Sequence, residues 1–254
     1  MPAEQPGVLL LPGLLCDASV WPVQQAALQA LAPVHVADYG DCNSIPAMAE
    51  RALHGAPAGP LAVVGHSMGG RVALEIWRQA PARVVGLALL DTGFQALPDG
   101  QAGLAERAGR MELLALARAE GMRAMGQRWA RGMVHPDQLD KPLFEAVLQM
   151  IERCTPDLFA AQLQALLGRP DATDLLPTIT VPVLLLCGRQ DSWSPLARHA
   201  QMQAALQSRP SRAPVELVVV EDCGHMSTLE QAPTVSAALL RWLAGCLAPA
   251  AGGL

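Results

Sequence analysis

Short apolar runs alternate with segments of helical periodicity along most of this chain. The runs are rich in Val and Leu without polar alternation, which is typical of strands buried on both faces of a parallel sheet. A helix between consecutive runs provides the crossover that parallel pairing requires. The sequence therefore predicts an α/β fold in which a mostly parallel sheet is flanked by helices. The predicted strands are residues 8–11, 34–37, 61–64, 84–90, 183–186 and 215–220.

One long segment lacks this alternation. Between residues 94 and 181 no convincing strand occurs, and apolar residues at helical spacing predict helices instead. We therefore expect a core domain of residues 1–93 and 182–254, with an inserted all-helical cap of residues 94–181. The apolar positions behind this prediction are Leu113, Leu116, Met122, Met125, Trp129, Met133, Leu143, Val147, Ile151, Leu163, Leu166 and Leu167.

The charge content limits the partners. Charged residues make up 16% of the chain, and 18 basic against 23 acidic residues give a net charge of −5 without any basic run. A surface that follows nucleic-acid phosphates or an anionic membrane needs clustered Lys and Arg, so neither partner is expected. The hydrophobic content of 51% excludes a disordered chain. We expect a small-molecule substrate and a monomer or homodimer.

The N-terminal segment and the cysteines favour a cytoplasmic enzyme. The first residues carry no positively charged stretch, and Pro12 and Gly13 interrupt the first apolar run, so neither a signal peptide nor a membrane span is predicted. The six cysteines lie far apart without a C-x-x-C pair and are expected to be small buried side chains. The reactivity of Cys16 and Cys223 stays open. No His pair or His/Cys cluster has metal-ligand spacing, so no metal or cofactor is expected.

A glycine-rich motif lies between a predicted strand and a predicted helix. Residues 65–70 read GHSMGG, which fits G-x-S-x-G in the strand, turn and helix context that this motif requires. Small residues on both sides allow a tight turn that raises the Ser67 hydroxyl above the sheet, at the positive end of the following helix. The alternative is a turn whose glycines serve close packing alone. We take Ser67 as a candidate nucleophile.

A serine hydroxyl becomes a good nucleophile only when a base takes its proton and a third group orients that base. Asp191 follows the strand at residues 183–186, in the segment GRQDSWSP, and His225 follows the strand at residues 215–220, in DCGHM. The carboxyl ends of parallel strands meet at one edge of a sheet. Ser67, Asp191 and His225 are therefore expected to meet there.

Other residues compete for these positions. Asp91 follows the strand at residues 84–90 and is the main rival for the acid position. The remaining histidines fit the base position less well than His225. They are His35, His54, His66, His135 and His199.

Four motifs together resemble the α/β-hydrolase superfamily of serine hydrolases. They are LLLPGLLCDASVW at residues 9–21, GHSMGG, GRQDSWSP and DCGHM, and the similarity extends over nearly the whole chain outside residues 94–181. The order Ser, Asp, His along the chain is that of the superfamily. The resemblance implies that Ser67 is the nucleophile, His225 the general base and acid, and Asp191 the residue that orients His225.

The resemblance also implies an oxyanion hole and a lid. The turn Pro12-Gly13-Leu14 is similar to the superfamily's His-Gly-x loop, so the backbone amides of Leu14 and Met68 are the implied oxyanion donors. Proline replaces the usual histidine at position 12, but neither donor amide belongs to a proline. Few residues precede the first strand, so we expect about six strands. The helical segment 94–181 corresponds to the superfamily's cap over the active site.

The implied reaction is hydrolysis of a small carboxylic ester, as in the carboxylesterases. Low charge and a segment rich in Leu, Met and Trp favour an apolar or aromatic ester. Thioester, lactone and carbon–carbon (ring-fission product) hydrolysis are alternatives, and a non-catalytic ligand receptor on the same fold is an alternative of another class. The expected substrate contacts are Trp21, Met122, Met125, Trp129, Trp193 and Met226.

Overall fold

A computed structural model of the protein describes residues 5–248. It contains one sheet of six strands in the order β2-β1-β3-β4-β5-β6, and every neighbouring pair is parallel. This confirms the predicted parallel sheet and its number of strands. The strands are β1 (Gly7–Leu11), β2 (Val34–Val36), β3 (Leu61–His66), β4 (Val84–Leu90), β5 (Val183–Gly188) and β6 (Val215–Val220).

Burial of the strands follows their place in the sheet. Every residue of β1, β3 and β5 is buried, because these strands have neighbours on both sides and side chains packed on both faces. The edge strands β2 and β6 are mostly half-buried. The continuous apolar runs in the sequence therefore mark the strands that lie inside the sheet.

Helices flank the sheet and form two packed pairs. Helix α1 packs against α10, and α2 packs against α3. The side chain of Ser44 accepts a hydrogen bond from the Ala47 amide and so caps α2, a helix that the sequence analysis did not predict. The flanking helices are α1 (Pro22–Leu28), α2 (Ile45–Gly55), α3 (Met68–Gln79), α8 (Leu196–Gln207), α9 (Ser227–Glu230) and α10 (Ala232–Leu247).

Four further helices lie between β4 and β5, within residues 94–181, which we call the helical insertion. Several hydrogen bonds connect it to the loop after β1. Among them, Arg153 Nη2 donates to Asp17 Oδ2 at 2.6 Å, and Gln162 Oε1 accepts the Leu15 amide at 2.8 Å. The helices are α4 (Gly100–Glu120), α5 (Met122–Trp129), α6 (Pro142–Glu152) and α7 (Pro156–Leu167).

The division of the chain into a core domain and a cap stays a prediction. Residues 1–4 and 249–254, which the predicted core domain includes, lie outside the described residues. None of the helices within residues 5–248 combines the length and the apolar character that crossing a membrane would require.

Candidate active site

Ser67, His225 and Asp191 meet at the carboxyl edge of the sheet. Ser67 directly follows β3, Asp191 lies three residues after β5, and His225 lies in the loop after β6. The Ser67 hydroxyl donates to His225 Nε2 at 2.8 Å, and His225 Nδ1 donates to Asp191 Oδ2 at 2.8 Å. The predicted residues therefore form one continuous hydrogen-bonded chain, which is the arrangement that activates a serine.

The backbone at Ser67 has a conformation that few side chains adopt. Its φ is 55° and its ψ is −116°, an uncommon region that a non-glycine residue keeps only when its surroundings impose it. A Cβ on Gly65 would lie 2.2 Å from the Gly69 carbonyl oxygen, and a Cβ on Gly69 would lie 2.0 Å from that of Leu11. Both glycines of the motif are therefore required, because α3 lies too close to β3 at Gly65, and too close to the end of β1 at Gly69, for a side chain at either position.

Asp191 is held by hydrogen bonds on both carboxylate oxygens. Oδ1 accepts the amides of Trp193 at 2.8 Å and Ser194 at 2.9 Å, and Oδ2 accepts from His225. Burial raises the pKa of Asp191, but the charge of His225 and these hydrogen bonds lower it more, so the pKa lies below its ordinary value. The carboxylate is therefore ionised at neutral pH and fixed towards Nδ1.

The environment of His225 favours its protonated form. Burial lowers the pKa of His225, but attraction by Asp191 and the hydrogen bond to it outweigh burial, so the pKa lies above its ordinary value. The Trp193 ring packs beside the imidazole, with 5.2 Å between ring centroids. The neutral ring can take a proton from Ser67, and the resulting cation is stabilised by Asp191.

Glu230, which the sequence analysis missed, holds the loop that carries His225. This carboxylate in α9 is bonded to three backbone amides: Oε1 accepts that of Met226 at 3.0 Å, and Oε2 accepts those of Gly224 at 3.1 Å and His135 at 2.7 Å. The sequence feature that could have indicated this role is an acidic residue five positions after His225. Because His135 belongs to the helical insertion, Glu230 fixes the histidine loop and the insertion to each other.

Asp91, the rival acid, follows β4 and is fully buried. Its Oδ1 accepts the Gly188 amide at 3.0 Å, and its Oδ2 is paired with the Ser227 hydroxyl. Burial, reinforced by repulsion from Asp191, raises the pKa of Asp91 well above its ordinary value. Both oxygens are thus committed to neighbours other than His225, and the geometry favours Asp191 as the partner of the imidazole.

His66 holds the loop that carries His225 through a hydrogen bond. Its Nε2 donates to the backbone carbonyl of His225 at 2.8 Å. Burial, with repulsion from His225 as the next cause, lowers the pKa of His66 to about 3, so its ring is neutral. Trp21 packs edge-on against the His66 ring, with 6.3 Å between centroids.

The amides of Leu14 and Met68 are free at the expected oxyanion position. Neither is engaged by a partner within the described residues. Leu14 lies in the loop after β1, where a Cβ on Gly13 would be 3.2 Å from the Ser67 Cβ, so this loop runs directly beside the serine. Met68 is the first residue of α3, where an unpaired amide points out of the helix. Both donors can face an oxygen held next to Ser67.

A cavity of about 630 Å³ opens above the serine. Ser67 and His225 lie in its wall, together with residues from the helical insertion. Three aromatic rings form one side: Trp129 lies 6.2 Å from Phe159 and 5.1 Å from Trp193, between ring centroids. The cavity has the size of a small-molecule site and an aromatic side adjacent to the histidine.

Two of the six predicted substrate contacts, Trp129 and Trp193, line this cavity. The other four are buried core residues and are not part of its lining. They are Trp21, Met122, Met125 and Met226.

Charged side chains also line the cavity, although the sequence favoured an apolar or aromatic ester. Two glutamates, Glu106 and Glu112, lie among the lining residues. The sequence offered one signal: Arg71 lies four residues after Ser67, which places it one helical turn further along α3. The lining arginines are Arg71, Arg110, Arg128, Arg169 and Arg198.

The two cysteines near the motifs are held as thiols. Burial, with the nearby Cys154 as the next cause, raises the pKa of Cys16 to about 12, and burial raises that of Cys223 further. Neither forms the thiolate that reacts at neutral pH. Among the described residues, His, Cys, Asp and Glu side chains form no group of three or more that could hold a metal ion.

The fold and this site indicate a class of protein, and the similarity of the amino-acid sequence to a known family identifies that class. The sequence model of the Alpha/beta hydrolase family matches residues 8–239. The chain therefore belongs to the alpha/beta hydrolase family, and hydrolase activity is supported by the fold and by its relatives.

Individual relatives show how far the similarity extends. A solved structure of a thermophilic esterase from Thermogutta terrifontis, with malate bound, is 27% identical, with a TM-score of 0.82 over 97% of this chain and 92% of that one. The enol-lactonase from Burkholderia xenovorans LB400 is 20% identical, with a TM-score of 0.77 over 95% and 92%, and shows the fold alone.

A curated relative from Pseudomonas sp is named 2-hydroxy-6-oxononadienedioate/2-hydroxy-6-oxononatrienedioate hydrolase. It is 28% identical over 186 residues, which cover 72% of this chain and 62% of that protein. The chain thus matches less than two thirds of the length of this relative.

Proposed function

We propose that this protein is a serine hydrolase that cleaves a small carboxylic ester through an acyl-enzyme on Ser67. The observation that carries the proposal is the chain of 2.8 Å hydrogen bonds from Ser67 through His225 to Asp191, which opens on the cavity. The aromatic side formed by Trp129 and Trp193 suits an apolar or aromatic part of the substrate.

In the first half-reaction, Ser67 Oγ attacks the ester carbonyl carbon while its proton passes to His225 Nε2. The carbonyl oxygen becomes an oxyanion, which accepts hydrogen bonds from the amides of Leu14 and Met68. Asp191 stabilises the imidazolium that forms. The tetrahedral intermediate then breaks its bond to the leaving alkoxide, which takes the proton from Nε2, and an acyl ester on Ser67 remains.

In the second half-reaction, water repeats these steps from the other side. His225 Nε2 removes a proton from the water as its oxygen attacks the acyl carbonyl carbon, and the same two amides hold the oxyanion. When the bond to Ser67 breaks, Nε2 returns its proton to Oγ. The products are a carboxylic acid and an alcohol, and the enzyme regains its starting protonation state.

Carbon–carbon hydrolysis is the second candidate, because the curated relative is named as a hydrolase of a 2-hydroxy-6-oxo dioate. The esterase at 27% identity, with 97% of the chain covered, supports the ester reaction. Thioester and lactone hydrolysis would use the same serine and oxyanion donors, and we place them after these two candidates. A receptor on the same fold would bind a ligand without turnover.

Labelling and turnover together test the proposed function. We expect a fluorophosphonate probe to modify Ser67 stoichiometrically, because Oγ is activated by His225, and short p-nitrophenyl esters to be hydrolysed with multiple turnovers. The measurements are intact-protein mass spectrometry with peptide mapping, and release of p-nitrophenol. Labelling without turnover would indicate a receptor, and the absence of both would contradict the proposal.

The pH dependence follows from the environment of His225. The imidazole must be neutral to accept the serine proton, and its pKa is raised by Asp191 above the ordinary value of about 6.5. We therefore expect kcat/KM to rise with pH through a midpoint above about 6.5, which reports the free enzyme. Initial rates followed at the isosbestic wavelength of p-nitrophenol give the profile. A flat profile between about pH 5 and 8 would contradict the assignment of His225 as the base.

A further inference from the structure

The side chains that line the cavity above Ser67 carry an excess of positive charge. Five arginines and two glutamates contribute to its wall, whereas the whole chain has a net charge of −5. Positive charge is therefore concentrated at this cavity in an otherwise acidic protein. Such a concentration in a cleft attracts anions and raises their local concentration.

Three of the arginines are paired with the two glutamates. Glu106 accepts from Arg169 Nη1 at 2.7 Å and from Arg110 Nη2 at 2.8 Å, and Glu112 lies 3.6 Å from Arg128 Nη2. Burial raises the pKa of Glu106, but Arg169 and Arg110 outweigh burial and lower it to about 2. Glu106 thus stays ionised and is committed to its partners.

Arg71 and Arg198 are not paired with any carboxylate within residues 5–248. Both donate hydrogen bonds to backbone carbonyl oxygens. Arg71 Nη1 donates to that of Gln95 at 2.7 Å, and Arg198 Nη1 donates to that of Trp193 at 3.1 Å. Both guanidinium groups retain further N–H donors, since each has five. Two fixed positive charges with unused donors thus lie in the wall of the cavity.

The two guanidinium groups converge on one point beside the serine. A Cβ on Gly93 would lie 2.9 Å from Arg71 Nη2 and 3.2 Å from Arg198 Nη1, so these nitrogens are no more than about 6 Å apart. The site adjoins Ser67, because the Thr92 hydroxyl donates to the Ser67 carbonyl oxygen at 2.6 Å. A charge-assisted hydrogen bond spans about 2.8 Å, so one carboxylate can reach both arginines.

The surroundings of Arg71 destabilise its positive charge. Burial, together with repulsion from Arg169 and Arg198, lowers the pKa of Arg71 to about 9. Asp171 lines the adjoining cavity with both arginines, but its carboxylate oxygens accept the amides of Ala96 at 3.0 Å and Thr173 at 2.7 Å. An incoming anion would supply the missing negative charge.

We propose that Arg71 and Arg198 form a subsite for a carboxylate on the substrate, so that the enzyme prefers esters that carry a second, free carboxylate. This inference rests on the proposed hydrolase function and names its substrate class. The aromatic side at Trp129 and Trp193 contacts the apolar part of the substrate, and Arg71 and Arg198 contact its charged end.

Two pairs of matched esters test the subsite. In the first, 4-nitrophenyl hydrogen adipate is compared with 4-nitrophenyl hexanoate, which places the carboxylate on the acyl side. In the second, 4-carboxyphenyl butyrate is compared with 4-carbamoylphenyl butyrate, which places it on the alcohol side. In at least one pair we expect kcat/KM to be about tenfold or more higher for the charged ester, the ratio that one charge-assisted contact provides.

The variants R71Q and R198Q should each lower this ratio by about tenfold. R198K should restore part of it, because lysine keeps the charge but not the paired donors. R212Q, which removes an exposed arginine that does not line the cavity, should leave the ratio as in wild type. A merely structural role of Arg71 or Arg198 would change both esters of a pair alike and leave the ratio unchanged.

The outcomes distinguish a failure of the subsite from a failure of the proposed function. Turnover of both esters in each pair at equal rates would overturn the carboxylate subsite and leave the hydrolase function intact. A preference for the charged ester that survives both R71Q and R198Q would also overturn the subsite. If wild type hydrolyses none of the four esters, the proposed ester hydrolysis is overturned, and the subsite assignment with it.

Discussion

Replacing Ser67 by alanine is expected to reduce kcat for ester hydrolysis by about 10⁶-fold, the loss seen when the nucleophile of a catalytic triad is removed. The Ser67 hydroxyl donates to His225 Nε2 at 2.8 Å, and alanine leaves no atom there that can form the acyl-enzyme. Hydrolysis of a p-nitrophenyl ester under saturating substrate measures the loss. The same variant should fail to react with a fluorophosphonate probe.

Ser192→Ala is the matched control, because Ser192 is an exposed serine next to Asp191. Its kcat should equal that of wild type within about twofold, as for a surface substitution without a special contact. Ser67→Ala removes one hydrogen bond worth about 1 kcal/mol, so its Tm should change by no more than about 4 °C. Near-wild-type hydrolysis by correctly folded Ser67→Ala would overturn the assignment of the nucleophile.

The sheet could be predicted from the sequence because its inner strands are apolar on both faces. β1, β3 and β5 are buried at every position, and each stands out in the sequence as an uninterrupted apolar run. Helix α2 was missed although Ser44 precedes it and its buried positions recur at helical spacing. Two of those positions are alanines, which contribute weakly to a hydrophobic pattern.

The reacting groups were predictable because each directly follows a strand. Parallel strands bring their carboxyl ends to one edge, so Ser67, Asp191 and His225 meet although they are far apart in the chain. The close approach of the two arginines near the serine was not predictable in this way. Arg71 and Arg198 approach each other at Gly93 because α3 and α8 both begin near the carboxyl edge of the sheet, and no sequence spacing encodes that distance.

Asp191→Asn is expected to reduce kcat by about 10⁴-fold, as in other triads, with the fold intact. The oxygen at the Oδ1 position must accept the amides of Trp193 and Ser194, at 2.8 and 2.9 Å, so the asparagine must keep its oxygen there. Its NH₂ group then faces His225 Nδ1 and donates to it. The imidazole proton is thereby forced onto Nε2, which can no longer accept the proton of Ser67.

The pH profile of Asp191→Asn provides a second, independent measurement. In wild type the pKa of His225 is lowered by burial and raised to a larger extent by Asp191. Without the carboxylate, burial prevails, so the midpoint of the residual kcat/KM profile should move to lower pH. A loss of activity without this shift would indicate that Asp191 acts on the loop structure and not on the imidazole.

Asp91→Asn is the matched control, since Asp91 is the other buried aspartate at this edge. Asparagine can still accept the Gly188 amide with its oxygen and donate to the Ser227 hydroxyl with its nitrogen, so it fits the hydrogen bonds of Asp91. The raised pKa of Asp91 means that the site already favours a neutral group. We expect less than about a tenfold loss in kcat. If Asp91→Asn instead shows the 10⁴-fold loss and Asp191→Asn does not, the two aspartates have the opposite roles.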